Sequence, residues 1–396
     1  MKICMIIEKD YPHIGTSREV KTLVQNKNDL KIISRVPKPK GKKDHEYIDG
    51  AELYRIKSKI NKRHGSTKRL IELSREYIKI IKITKKNNPD VIHCQGINMM
   101  INGILLKKIL KKPLVFDMRE NYPALKWAAR KKTHVLKIKV SLLKIFEKIA
   151  CHYADKIIVV VKESKDRLVK IGVKEKKIFV IMNAENPENL TNKKINKDLQ
   201  KDLKNRFQNN FIIGYTGFFG YHRGIETAIK AMPIILEKIK NITLLLVGSG
   251  RNYKELEDLT TSLRLNEHVY FTGLVPHEDM QTYIQTCDVC IIPHVSNEHT
   301  NSTIPNKLFQ YMMMQKPQIV TDIKPLERIV EKTKCGLIIP SGDSKALADT
   351  VIKLYNNPKL RDNLAKNGYK AAVDEYNWNV EGAKLTKMYE EFKEEK

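Results

Sequence analysis

No apolar run in this 396-residue chain comes near the ~20 residues that span a bilayer. The longest are short stretches such as Ile157–Val161 and Leu244–Val247. An integral membrane protein built on helices is therefore excluded. Cysteine is scarce, six residues without a regular framework, which points to a reducing compartment rather than a disulfide scaffold. The opening run Met1–Ile7 meets Glu8 at once, so no signal peptide is expected. There is no Asp-x-Asp pair and no histidine cluster of metal-site type. A disordered chain is excluded in turn, because 41% of the residues are hydrophobic, enough for full-sized cores.

What the chain has in excess is positive charge, and only in one half. Residues 1–210 hold 50 of the 73 Lys and Arg but 22 of the 45 Asp and Glu, so the whole net charge of +28 sits there. Lysine-rich codon usage would act on both halves alike, yet the second half is balanced. The imbalance implies a negatively charged partner for the first half: an anionic membrane, a lipid phosphate or a nucleic acid.

Short runs of apolar residues alternate with helical stretches from one end to the other. Near-continuous apolar strands separated by helices read as parallel sheets covered on both faces. The pattern is interrupted by the polar stretch 184–192 and restarts at Phe211–Tyr215. This predicts two doubly wound α/β domains, 1–195 and 196–379, with a last helix over 380–396 that crosses back onto the first. In such sheets ligands sit at the carboxyl ends of the strands.

Three segments of the second domain carry chemistry. In Gly214-Tyr215-Thr216-Gly217-Phe218-Phe219-Gly220-Tyr221-His222-Arg223-Gly224 a strand runs through a glycine-rich turn into a helix. Its glycines admit a ligand close to the backbone, and Arg223 with helix N–H groups suits a phosphate or diphosphate. The glycine spacing is not that of a dinucleotide fingerprint. Leu244–Gly250 is a second strand with a glycine turn. The third segment, Asn301–Met312, sets Ser302, Thr303 and the N–H groups near Asn306 as anion donors ahead of a helix. One turn further in, Gln310 reaches towards ribose hydroxyls. Cys287 and Cys290 form a C-x-x-C without a second pair and read as small buried residues.

These segments, in this order, resemble the nucleotide-sugar domain of the retaining family 4 glycosyltransferases. Thr216–Gly224 is similar to the family's glycine loop, Leu244–Gly250 to its strand-Gly-x-Gly, and Asn306–Pro317 to its P-x-K-[LF]-[LF]-E-Y-M-x-x-G-K-P helix. Val269–Pro276, Asp288–Pro293, Tyr11-Pro12, Asp90–His93 and Ala154–Val160 fit as well. The resemblance implies the GT-B fold, α/β with two Rossmann-like domains facing across a cleft. It implies a retaining transfer of a sugar from a nucleotide-diphospho-sugar, UDP- or GDP-linked, to a lipid-linked or glycan acceptor. No metal or other cofactor is expected. Gly15, Gly217, Gly248, Val275, Ser302, Thr303, Asn306, Lys307 and Gln310 would line the donor site with Arg223. Arg223 and Lys307 would stabilise the leaving diphosphate. Asp117, Arg119 and Glu120, at a strand end of the first domain, would bind the acceptor or orient its hydroxyl; His93 reads as structural.

The chain departs from the family pattern in five places. Phe218 stands where the loop usually has Arg or Lys. Gln310 replaces the second Glu of the Glu-x7-Glu signature, and Ser302 falls at the first. Gln315 replaces a glycine, and Asp117–Glu120 runs where many members place a histidine. A weakened or differently specialised donor site is left open.

Residues 126–148 join Trp127 and the basic Lys126, Arg130, Lys131, Lys132 and Lys137 to apolar residues at helical spacing, among them Val135, Leu136, Leu142, Leu143, Ile145 and Phe146. This composition suits either a segment lying on an anionic membrane or a core-packed helix with solvated lysines. Lys38–Lys43 and Lys57–Arg69 add charge in the same domain. A peripheral enzyme on the inner face of the cell membrane is the expectation, in polysaccharide, lipopolysaccharide or glycoprotein glycan synthesis. Two alternatives remain: a nucleotide-sugar epimerase of the same architecture, and a basic nucleic-acid-binding protein. The second lacks aromatic platforms among its basic residues.

Overall fold

The computed structural model describes residues 1–36, 43–58, 66–128, 133–187 and 195–394. Residues 38–42 and 59–65 of the two basic stretches, together with Arg130, Lys131 and Lys132, lie outside the described residues. So does 188–194 of the polar connection.

The chain divides into two units. Unit 1 comprises Met1–Asn183 and Glu381–Lys396; unit 2 comprises Ala184–Val380. The first crossing falls between 183 and 184, ahead of the 195/196 position read from composition. The residues of the polar stretch that follow Asn183 pair with unit 2: Glu185 bridges Asn377, and its carbonyl accepts the Trp378 N–H at 2.9 Å.

In unit 1 the described strands are β1 (Lys2–Ile7), β2 (Asp29–Val36), β3 (His45–Ile48), β4 (Ala51–Lys57), β5 (Val91–Gln95), β6 (Leu114–Met118), β7 (Lys156–Val159) and β8 (Ile178–Val180). They form one sheet in the order β3-β4-β2-β1-β5-β6-β7-β8. Every pairing is parallel except β3 with β4. Strands β5, β6 and β7 are buried at each position, as a sheet with both faces covered requires. The antiparallel β3 is an element that apolar patterning misses, because its residues are half-exposed or exposed. Its signal is the turn Asp49-Gly50, both at positive φ (51° and 76°), the Asp-Gly hairpin type. The 126–148 stretch is two helices, Tyr122–Ala128 and His134–Tyr153. The second starts at Thr133, whose hydroxyl accepts the Leu136 N–H at 3.2 Å, as an N-cap does.

The last helix, Trp378–Glu394, is bound into unit 1 by polar contacts. The Glu381 carboxylate accepts the Met182 N–H at 2.8 Å. Lys156 Nζ donates to Met388 O (2.9 Å) and Glu391 (2.6 Å), and it lies 4.2 Å from the Phe392 ring centroid.

In unit 2 the described strands are β9 (Phe211–Thr216), β10 (Ile242–Val247), β11 (Val269–Gly273), β12 (Val289–Ile292), β13 (Gln318–Thr321) and β14 (Gly336–Ile339). The order is β11-β10-β9-β12-β13-β14, all parallel. This is the doubly wound 3-2-1-4-5-6 arrangement, and the order in which strands are added to the sheet reverses between β9 and β12. Tyr215, Ile229, Met232, Leu244, Leu246 and Ile291 sit at the centre of its core. Among the described residues of both units, no helix is long and apolar enough to cross a membrane.

Candidate functional site

The switch point of unit 2 gathers three loops at the carboxyl ends of β9, β10 and β12. The first two are zipped together by their backbones: Gly217 N–H donates to Val247 O (2.8 Å) and Phe219 N–H to Ser249 O (2.9 Å). A Cβ on Gly248 would stand 2.0 Å from Gly217 O, so only glycine permits the approach. Gly224, at φ 66°, presses on the loop after β12, where a Cβ would lie 1.7 Å from Pro293 O.

Into this frame point five nitrogen bases. Lys307 begins the helix Lys307–Met313. It is 8% exposed, and its Nζ has no hydrogen-bond partner among the described residues. The Nζ lies 3.4 Å from the Tyr215 ring centroid, and 3.4 Å from where a Gly217 Cβ would be. Arg223 Nη1 meets His294 Nε2 at 3.1 Å. A guanidinium only donates, so His294 accepts there and is neutral. His222 and His299 complete the group, their rings 5.6 Å apart.

Burial, and after it the charge of Arg223, pushes the three histidines and Lys307 towards the neutral form. His222 falls to about 3 and His299 to about 4, while Lys307 and His294 fall well below their ordinary values. Among the described residues, no carboxylate stands among the groups that shift these four, and the Cys290 thiol favours a charged Lys307. A cluster of bases that burial holds near neutrality is complementary to a multiply charged anion. Tyr311 holds the Lys307 helix under β9, since its hydroxyl accepts the Thr216 N–H at 3.0 Å.

Other expectations change on the same helix. Ser302 Oγ lies 2.8 Å from Glu298 O and 3.0 Å from His299 O. It donates back into its own turn, so the role expected for it as an anion donor is corrected. The N–H groups past Asn306 are committed too: Leu308 donates to Pro305 O, and Phe309 and Gln310 to Asn306 O, each at 3.1 Å. Asn306 itself makes no side-chain cap, and Thr303 is half-buried in extended backbone. Gln310 lies three residues beyond Lys307 and donates from Nε2 to Glu185 Oε1 at 3.0 Å. Val275, half-buried, follows β11 beside the exposed Leu274. Phe218, in the glycine loop, is exposed.

Unit 1 gathers its charged residues differently. Asp117, on β6, is 1% exposed and accepts from Arg119 Nε and Gln95 Nε2, both at 2.9 Å. Arg119 also pairs with Glu19, and its Nη1 would stand 2.6 Å from a Cβ on Gly15. His93 Nδ1 meets the Tyr389 hydroxyl at 2.6 Å, and its Nε2 faces Asp117 at 3.8 Å. One guanidinium stands between two buried carboxylates, and the two respond oppositely. Burial raises Glu19 to about 7 against the pull of Arg119. Asp117 is buried too, yet Arg119 and His93 hold it below the usual carboxylate range. Asp117 and Arg119 are thus committed to each other, Gly15 is packed against them, and Glu120 is half-buried beside them. Glu19, His93 and Asp117 bring three ligand-type atoms within 4.8 Å, but Arg119 already occupies both carboxylates.

The residues that sequence reading missed are Glu19, Glu185, His294 and His299. Each reaches its place through a contact with a distant segment, and no local pattern marks it.

Comparison with known proteins agrees with this geometry. Residues 196–371 match the family model described as glycosyl transferases group 1, and residues 17–189 match that of glycosyltransferase family 4. An uncharacterised glycosyltransferase of Methanocaldococcus jannaschii is 25% identical over 356 residues, 87% of this chain and 86% of that one. The capsular polysaccharide biosynthesis glycosyltransferase CapM of Staphylococcus aureus is 23% identical, over 80% of this chain and 81% of its own. Among solved structures, Anabaena HepE in complex with UDP-glucose superposes with a TM-score of 0.75 at 16% identity, covering 99% of this chain and 100% of that one. Two Rossmann-like units of GT-B type thus meet two family matches that between them run through both, and the chain belongs to the family 4, group 1 glycosyltransferases.

Proposed function

We propose that this glycosyltransferase moves a sugar, with retention of anomeric configuration and without a metal ion, from a UDP- or GDP-sugar to a lipid-linked or glycan acceptor of cell-surface polysaccharide, lipopolysaccharide or glycoprotein glycan synthesis. One observation carries the donor reading: the buried Lys307 side-chain nitrogen, without a hydrogen-bond partner among the described residues, beside Arg223, under the glycine loop. As the bond from the anomeric carbon to the diphosphate oxygen breaks, negative charge grows on that oxygen. Lys307 and Arg223 are already in place to meet it, which is electrostatic catalysis without reorganisation. On unit 1 the acceptor hydroxyl is oriented at the loop that carries Glu120, which Asp117 and Arg119 hold in shape. The complexed HepE structure and the CapM relative support a nucleotide-sugar donor and a polysaccharide setting.

The membrane reading rests on the helix His134–Tyr153. Val135, Ile138, Leu142, Ile145 and Ile149 are exposed along one side of it, Ile138 at 62%, with Lys137, Lys139, Lys144 and Lys148 beside them. An exposed apolar stripe flanked by lysines suits an anionic bilayer surface. The enzyme then works at the inner face of the cell membrane.

The test is thermal stabilisation by UDP, GDP and their sugar conjugates with a chelator present. A ligand at 100 times its Kd adds about 2.7 kcal/mol. Stabilisation by one diphosphate family, lost in Arg223→Ala, is the expected result. No shift with any nucleotide, or a shift that requires a divalent cation, overturns the corresponding part of the reading.

A further inference from the structure

In unit 1 a cavity of about 430 Å³ lies between the helix Ser66–Asn87 and the hairpin of β3 and β4. That is the size of a small-molecule site, ~300–1,000 Å³. The helix lines it with Lys79, Lys82 and Ile83, which share one face at this spacing. Strand β4 lines it with Tyr54, Ile56 and Lys57. None of these residues belongs to the switch point of unit 2 or to the Asp117 network.

The charges around the cavity do not cancel. Arg55, also in the lining, spends its donors inside the fold: on Asp10 at 2.9 Å, on Glu46, and on the carbonyls of Lys43 and Tyr11, both at 2.8 Å. Among the described residues of the lining Asp44 is the only acid. Lys57 pairs with it at 2.8 Å, but both ends stand in water, 53% and 61% exposed, where such a pair is weak. Lys79 and Lys82 are exposed and make no ion pair among the described residues. The rest of the lining is apolar or aromatic. Tyr54 gives its hydroxyl proton to Glu52, and its ring stacks on His45 with centroids 4.5 Å apart.

Three ammonium groups beside an aromatic stack and two isoleucines match an anion carried on a small carbon body. Lysine, a compact charge with three rotatable donors, suits the several oxygens of a phosphate. We propose that this cavity binds a phosphate monoester of glycerol phosphate type, through Lys79, Lys82 and Lys57. The site is separate from the transfer reaction, and it gives the positive first half of the chain a definite anion to meet. Such a monoester exists as a free metabolite and as the headgroup of phosphatidic acid. Ile78, next to Lys79, is 50% exposed, so the same helix offers a bilayer an apolar contact.

The experiment uses the full chain carrying Arg223→Ala, which weakens any phosphate site in unit 2, and sn-glycerol 3-phosphate as the probe, with Kd measured by calorimetry. Adding Lys79→Ala with Lys82→Ala should weaken binding roughly tenfold or more, the loss of two charge-assisted contacts in an open site. Adding Lys85→Ala with Lys86→Ala instead removes the same charge from the same helix outside the cavity, and it should leave Kd unchanged. All three proteins should melt at the same temperature, and glycerol should not bind. Sedimentation with phosphatidylcholine vesicles containing phosphatidic acid separates the two sources. A deficit of the 79/82 variant against the 85/86 variant assigns the cavity to the lipid headgroup, and equal sedimentation with a weakened Kd assigns it to the free ester. Equal probe affinity in the 79/82 variant and its parent overturns the site, as does an equal loss in the two double variants. Absence of probe binding to the parent, together with equal sedimentation, overturns it too. None of these outcomes depends on UDP or GDP, so the donor reading stands or falls separately.

Discussion

Both units bury charged side chains at the carboxyl ends of their central strands, and they do so with opposite accounts of charge. In unit 1, Arg119 stands between Glu19 and Asp117, and His93 is tied to Tyr389. In unit 2, Lys307, Arg223, His222 and His294 meet without an acid among the described residues. A closed network fixes a shape; an open one waits for a ligand. The difference separates two roles that residue type alone does not, since Arg119 and Arg223 both sit at strand ends and both look catalytic in the sequence.

The largest effect should come from opening the closed network. Arg119→Met leaves two buried carboxylates without their cation, and breaking such a group costs about 3–5 kcal/mol. Chemical denaturation should show that loss, while nucleotide affinity per folded molecule stays near wild type. Lys307→Met is the inverse case: diphosphate affinity should drop roughly a hundredfold, the weight of one or two charge-assisted contacts. Its ligand-free melting temperature should hold or rise, because an unpaired buried base has been removed. A loss of ligand-free stability in Lys307→Met would erase the distinction between the two units.

Acidity separates the units again. His222 and His299, at about 3 and 4, lie below the 6.5 of an unfolded histidine. Below about pH 6.5 the unfolded chain takes up protons that the folded site refuses. Unit 2 should therefore lose ligand-free stability as pH falls from 6.5 towards 4. Glu19, raised to about 7 from 4.5, works the other way, and its share of unit 1 stability is lost as pH rises from 4.5 through 7. A bound diphosphate restores charge to the unit 2 bases, so UDP binding near pH 7.5 should take up protons. Calorimetry in two buffers of different ionisation enthalpy measures this directly, and a zero count would refute it.

The smallest stability effect is expected at the surface of unit 1. Ile138→Glu with Leu142→Glu should change folding stability by no more than about 0.5 kcal/mol per site. The same pair should abolish sedimentation with anionic vesicles. Unchanged vesicle binding would move the membrane contact away from this helix.

How far the sequence reaches depends on how local each feature is. The parallel strands, the glycine loop, Arg223 and Lys307 are legible because apolar runs and glycine spacings are local signals. The helix His134–Tyr153 is legible as an element, yet not in its orientation: Val135 and Leu142 look like core residues beside Leu136, but only Leu136 is buried. Ser302 and the N–H groups near Asn306 look available until the turn that consumes them is seen. Glu185 falls in a polar stretch that reads as connection, and only the fold sets it against Gln310.

The path of the chain has a consequence for how this protein is made. Unit 2 is an uninterrupted stretch, Ala184–Val380, whereas unit 1 needs Glu381–Lys396 to be whole. A ribosome therefore releases everything unit 2 requires before it finishes unit 1. Until then the first domain waits with His93 lacking Tyr389, a partner 296 residues away, and with Lys156 lacking Met388 and Glu391. The domain synthesised first is the one completed last, so a message cut short near codon 380 would still encode a whole unit 2 beside a first domain whose polar interior faces water.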